Sequence, residues 1–186
     1  MFSLKDLGQL HYFLAIEVST SNDGGFFLSQ AKYIRHLLHR AKMDDSKPLP
    51  TPMVSGLKLT SDASIAMSDP SFYTSIVGGL QYITITRPKL SYSINKVCQY
   101  MHQPQEHHWK ALKRILRYLQ GIIDYGLHFK RPTHLTLQAF SDSDWGSDLD
   151  ARKSTTGFCV YLGGNLISWC SKKQKVVSRR STKAEF

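Results

Sequence analysis

Cysteine is scarce in this chain. Cys98, Cys159 and Cys170 are the only three among 186 residues, an odd number with no Cys-x-x-Cys spacing, which excludes a disulfide framework and argues against a zinc site. They read as ordinary small core residues. Long apolar runs are missing as well. Stretches such as His11 to Ile16 and Ile83 to Ile85 fall far short of the roughly 18 residues a membrane span needs. The start, Met1-Phe2-Ser3-Leu4-Lys5-Asp6, has no secretory apolar region. The expected setting is intracellular, cytoplasmic or nuclear, with no membrane partner and no secretion. Acid is the third shortage: 14 Asp and Glu stand against 24 Lys and Arg, a formal net charge of +10. Residues 1–95 carry 9 basic and 7 acidic groups and residues 96–186 carry 15 and 7, so most of the excess lies in the second half. A polyanionic partner is the natural expectation for that half.

What is present is a globular composition, 41% hydrophobic, in a chain of the size that buries roughly 70% of its unfolded surface. His11 to Ser19 and Phe26 to Leu28, separated by a polar run with Gly24 and Gly25, predict a β-hairpin. Ser29 is placed to N-cap a helix in which Tyr33, Ile34, Leu37, Leu38 and Ala41 repeat at helical spacing. Pro48 to Asp69, with prolines at 48, 50 and 52, reads as an extended surface connection.

Three helices are expected next: Ser71 to about Thr84, Leu90 to His102, and Glu106 to Gln120 with Gly121 as the cap. In the last, Trp109, Leu112, Ile115, Leu116 and Leu119 form an apolar stripe, while Lys110, Lys113, Arg114 and Arg117 recur at spacings of three and four. One face packs and the other is a ridge of positive charge. Strands are expected at Gly126–Phe129, Leu135–Ser141, Ser154–Leu162 and Leu166–Ser171, with Val176–Ser178 continuing the sheet and Lys130-Arg131-Pro132 as the domain boundary. A second basic group, Lys172, Lys173, Lys175, Arg179 and Arg180, follows. Ser181 to Glu185 reads as a helix start cut off at Phe186. The fold class is α+β.

Asp142, Asp144, Asp148 and Asp150 cluster just after a predicted strand. Carboxylates there are well placed for a hard divalent cation such as Mg²⁺, although Asp and Ser also dominate ordinary loops. Thr182 to Glu185 fits a capping box, which would occupy the glutamate with backbone N–H. Asp44-Asp45 follows a helix and precedes Ser-Lys-Pro, so it reads as a terminating turn. The eight histidines, His107-His108 included, show no ligand spacing with cysteine.

Several blocks, in this order, carry a resemblance: Lys5 to Leu14, Leu28 to Tyr33, Thr51-Pro52, Tyr73 to Gly78, Leu80 to Tyr82, Thr86-Arg87-Pro88, Leu116 to Gly121, Ser141-Asp-Ser-Asp-Trp145, Arg152 to Gly157, Ile167 to Trp169 and Ser181 to Glu185. Together they resemble the Pol polyprotein of copia-type LTR retrotransposons over nearly the whole chain. The resemblance implies that residues 1–130 are the C-terminal part of the reverse transcriptase (palm end, thumb and connection). Residues 133–186 would be a truncated N-terminal part of a ribonuclease H-like domain, an incomplete antiparallel sheet.

Asp142 then matches the first metal-binding carboxylate and Glu185 the catalytic glutamate, both as Mg²⁺ ligands for hydrolysis of the RNA strand of an RNA–DNA hybrid. Asp144 is the less favoured companion. Lys110, Lys113, Arg114, Arg117, Lys172, Lys173 and Lys175 would contact the hybrid or a DNA duplex. Neither active site is complete, so this chain alone is expected to be inactive and to bind no metal tightly. The implied setting is a cytoplasmic virus-like particle or the nucleus. The chain departs from the family pattern at Ala15, where glycine is usual, and at Lys89, Arg180 and Lys183. The rival readings are a non-catalytic nucleic-acid-binding remnant and an inert pseudogene product.

Overall fold

The computed structural model describes residues 8–61, 65–148 and 150–181. Two antiparallel sheets flank a helical core. The first sheet has the order β1 (Tyr12–Phe13), β2 (Ile16–Thr20), β3 (Phe26–Ser29) and β4 (Leu127–Phe129). The second contains β5 (Leu137–Asp144), β6 (Thr155–Leu162) and β7 (Asn165–Lys173), consecutive in space as in sequence. Between them run α1 (Ala31–Arg40), α2 (Pro70–Ile83), a 3-10 turn at Pro88–Leu90, α3 (Ser91–Cys98) and α4 (Glu106–Gln120). The protein is α+β.

The predicted first strand is split. Phe13 pairs with Ile16, and Leu14 and Ala15 turn the chain between them at φ of 46° and 57°. Two consecutive positive φ values make the tight hairpin turn whose twist suits the flanking strands. Ser29 does not cap α1. Its hydroxyl donates to Glu17 of the neighbouring strand at 2.8 Å, and Gln30 precedes the helix without a side-chain cap. Asp69 does cap α2, accepting from the Phe72 N–H at 2.9 Å, with Pro70 in the first turn. Lys42, at φ 55°, ends α1, and the Met43 N–H returns to the Leu38 carbonyl, so Asp44-Asp45 does follow a helix stop.

The second predicted helix is shorter than its periodicity implies. It ends at Cys98 rather than His102, because the Tyr100 and Met101 N–H groups fold back to Val97 and Cys98 in tight turns. α4 has the predicted bounds. Leu112, Ile115, Leu116 and Leu119 are fully buried in a single cluster with Ile34, Leu37, Tyr73, Ile76, Leu80 and Ile94. Trp109 packs at its margin, edge-on to Phe72 at 5.4 Å. Gly79 lets α2 approach α1: a Cβ there would lie 2.6 Å from Leu37 Cδ1.

β5 begins later and runs further than predicted, through Asp144, so Asp142 lies on the strand and not beyond it. Gly163 and Gly164, at φ 55° and 78°, form the β6–β7 turn. β7 extends to Lys173 and Val176–Ser178 forms no strand. The three cysteines are half-buried and unpaired; Cys159 and Cys170 sit on the second sheet instead of in the core.

Candidate functional site

Strand alternation sorts the acids. Register places Phe140, Cys159 and Trp169 in one cross-strand row, Asp142, Gly157 and Ser171 in the next, and Asp144, Thr155 and Lys173 in a third. Residues two apart on a strand share a face, so all three rows look the same way, toward α3. Trp169 Nε1 donates to the Thr84 carbonyl at 3.1 Å and Lys173 Nζ to Gln99 Oε1 at 3.2 Å, which seats the sheet against the end of α2 and the end of α3. The space left over is a cleft of about 520 Å³ with Asp142 and Asp144 on the strand side and Lys89 and Tyr92 on the helical side.

Asp142 is exposed, and its Oδ1 accepts only the Ser143 N–H, at 2.9 Å. Asp144 accepts the Thr155 N–H across the β5–β6 pair. Each keeps one oxygen that forms no hydrogen bond with the described residues. Burial, with the Asp144 carboxylate second, pushes the Tyr92 phenol above its ordinary range.

The other two acids are spent elsewhere. Asp148 is buried and forms an ion pair with Lys173. Burial alone would raise its carboxyl, but the hydrogen bonds from Lys173 and the Ala151 N–H outweigh that and hold it below the usual carboxylate range. Asp150 accepts both the backbone N–H and the hydroxyl of Ser61, at 3.0 and 2.7 Å. Glu185 lies outside the described residues. Among those described, no group of three or more His, Cys, Asp or Glu is placed to hold a metal ion. Hard carboxylate oxygens suit Mg²⁺, and Asp142 and Asp144 supply the donor type but only part of the number.

The cations divide in the same way. Arg117 Nε donates to the Lys47 carbonyl at 2.7 Å and Arg114 donates to Thr51 Oγ1 at 2.7 Å, while the Leu49 N–H returns to the Arg117 carbonyl. The proline-rich connection is therefore strapped along the cationic side of α4. Lys110 is exposed, and Lys113 lies 5.8 Å from the Trp109 ring centroid. Lys172 and Lys175 are exposed; Lys173, on the opposite face of β7 from Lys172, belongs to the Asp148 pair.

Composition did not single out Lys58, Lys96 or Tyr92, which the strap and α3 bring to the same side. Nor did it reveal why Gln30, Thr86 and Arg87 matter. Thr86 Oγ1 donates to Gln30 Oε1 at 2.7 Å, and the buried Arg87 guanidinium donates to the Ile122 and Ile123 carbonyls and to Thr86. No ion pair reaches it among the described residues.

The chain is 51% identical over its whole length to an Arabidopsis thaliana protein named as the uncharacterized mitochondrial protein AtMg00810, of which it covers 76%. It is 50% identical to the retrovirus-related Pol polyprotein from transposon RE2 of the same plant and 35% identical to that from transposon TNT 1-94 of Nicotiana tabacum, in both cases over the whole of this chain. The chain belongs to the copia-type retrotransposon Pol polyprotein family. It spans 13% of the RE2 Pol polyprotein and 14% of the TNT 1-94 one. No family model and no solved structure matches it. Among the described residues no helix is long and apolar enough to cross a membrane.

Proposed function

We propose that this Pol segment binds template-primer duplex and contributes the first carboxylate of a ribonuclease H centre that hydrolyses the RNA strand of an RNA–DNA hybrid. Residues 1–130 are then the end of the reverse transcriptase and residues 133–186 the start of the ribonuclease H-like part. The observation that carries this reading is the separation of the acids: Asp142 and Asp144 face an open cleft with an oxygen each to spare, while Asp148 and Asp150 are spent on Lys173 and Ser61.

Two-metal hydrolysis needs carboxylates that neutralise both ions and fix the attacking and leaving oxygens. Mg²⁺ would be held by Asp142 with Glu185 and further ligands, and would supply the activated water. The residues of this chain contribute the acidic strand face, and the cations around α4 and β7 contribute the attraction for phosphate. Action in a cytoplasmic virus-like particle or the nucleus follows from the same reading.

The test is RNA-strand cleavage by a Pol-length protein carrying this segment. Asp142→Asn is expected to abolish cleavage with hybrid affinity unchanged; retained cleavage would move the role to Asp144 or remove it from this strand. A second reading is a nucleic-acid-binding remnant without chemistry. It is supported by the exposed cations Lys110, Lys172 and Lys175, and it predicts binding with no cleavage in any length of protein.

A further inference from the structure

Three cavities on one side of the molecule share walls. The first, about 640 Å³, lies between the 49–59 strap and α4 and is lined by Lys58, Lys110, Lys113, Arg114 and Arg117. The second, about 770 Å³, takes in Lys58 and Arg114 from the first and adds Lys96, Tyr92 and Ser147. The third is the Asp142 cleft, which shares Tyr92 with the second and has Lys89 at its wall. The first two contain no acidic side chain in their walls. The shared wall residues thus order the cavities along one path: the cation-lined groove, then Lys58 and Lys96, the exposed Tyr92 ring and the two carboxylates.

Lys96 Nζ stands 5.6 Å from the Tyr92 ring centroid and 3.4 Å from Ser147 Oγ, so a positive charge and an aromatic surface meet where the path enters the cleft. Tyr92 is 43% exposed and Phe140, across the cleft on β5, is 60% exposed. Cations spaced along a groove and aromatic rings open to solvent are the combination that holds a sugar-phosphate strand and stacks its bases.

We propose that one strand of a bound nucleic acid occupies this path, its phosphates on Lys58 and Lys96 and a base stacked on Tyr92, which positions the next phosphodiester over Asp142. The inference rests on the hydrolysis reading in naming that strand as the RNA and Asp142 as the centre it reaches. Tyr92 would be a positioning residue supplied by the helical part to a centre on the sheet. This explains why the sheet is fastened to the helical part, through Trp169 at the end of α2 and Lys173 at the end of α3: a site divided between two elements works only if they are held in register.

Photo-crosslinking of the 186-residue chain to RNA–DNA hybrids tests it, with 4-thiouridine in the RNA strand in one arm and 5-iododeoxyuridine in the DNA strand in the other. The RNA probe is expected to attach to the peptide carrying Tyr92. Tyr92→Ala should weaken hybrid binding about 5- to 150-fold, the range of one lost base stack, and Tyr92→Phe should restore it, which a role for the hydroxyl would not allow. Lys58→Ala and Lys96→Ala should each flatten the slope of log affinity against log salt by about 0.9 with unchanged melting temperature. Attachment of the DNA probe alone would overturn the strand assignment. Normal binding with no crosslink at Tyr92, or wild-type affinity in Tyr92→Ala, would overturn the proposal and leave nucleic-acid binding standing. Failure of the unaltered chain to bind any hybrid would overturn both.

Discussion

Ala15 carries a backbone conformation that an L side chain resists. At φ 57° its Cβ crowds the neighbouring carbonyl, a cost of roughly 1–2 kcal/mol relieved only in glycine. The turn is held in place because Phe13 pairs with Ile16 and the Tyr82 hydroxyl donates to the Leu14 carbonyl. Ala15→Gly should therefore raise stability by about 0.5–1 kcal/mol in a urea melt, the relief of strain being partly offset by the greater backbone entropy of glycine in the unfolded chain. A fall in stability would mean that the turn does not hold the left-handed conformation.

Arg87 is a second residue whose role emerges only from its surroundings. A buried guanidinium whose two terminal nitrogens donate to three carbonyls and a hydroxyl cannot be replaced by lysine without losing its fork of donors. Burial lowers its pKa from the ordinary arginine value. In the sequence Thr86-Arg87-Pro88 is visible as a block, but its partners lie 36 residues downstream at Ile123 and 56 upstream at Gln30. Local pattern has no access to such pairings.

At the scale of elements, α4 was readable to the residue because its period, its flanking Pro104 and its apolar stripe all agree. Leu116 is fully buried, so Leu116→Ala should cost about 2–5 kcal/mol, read from the shift of a denaturant midpoint. The other face was not readable. Arg114 and Arg117 recur at the spacing of a solvated ridge, yet they hold the strap that amphipathic analysis treats as a surface connection.

The start of α4 depends on His108. Its Nδ1 accepts the Gln105 N–H at 3.0 Å, its Nε2 donates to the Thr60 carbonyl at 3.0 Å, and its ring stacks on Tyr100 at 3.8 Å. Burial first, and the neighbouring His107 second, lower its pKa to about 4. The folded state thus resists a proton that the unfolded chain accepts near 6.5. The contribution is complete above pH 6.5 and is lost as pH falls toward 4, a loss of roughly 3 kcal/mol. Asp148, depressed by Lys173, adds a loss of the same sign at lower pH. His108→Phe should keep the stacking and flatten the limb between pH 6.5 and 4, at the expense of lower stability at neutral pH. An unchanged limb would assign the acid sensitivity to other groups.

Across the whole molecule, net charge makes a prediction that counting alone gets wrong. The sequence shows seven candidate phosphate contacts in two clusters, and the structure gives them different employments. Lys110, Lys172 and Lys175 are exposed and free to meet phosphate, whereas Lys173 is paired with the buried Asp148 and bonded to Gln99. Binding releases counterions in proportion to the phosphates neutralised, so each contacting cation that is removed should flatten the log affinity against log salt slope by about 0.9. Lys110→Ala, Lys172→Ala and Lys175→Ala are therefore expected to change the slope while leaving the melting temperature in place. Lys173→Ala is expected to do the reverse: it leaves a buried carboxylate without its cation and loosens the sheet from α3, so stability drops while the slope holds in protein that is still folded. Titration of one hybrid duplex at four or more salt concentrations, paired with a thermal melt of each variant, separates the two outcomes. A Lys173→Ala protein that melts normally and loses about 0.9 of slope would show that the Asp148 pair opens in the complex and that Lys173 is itself a contact.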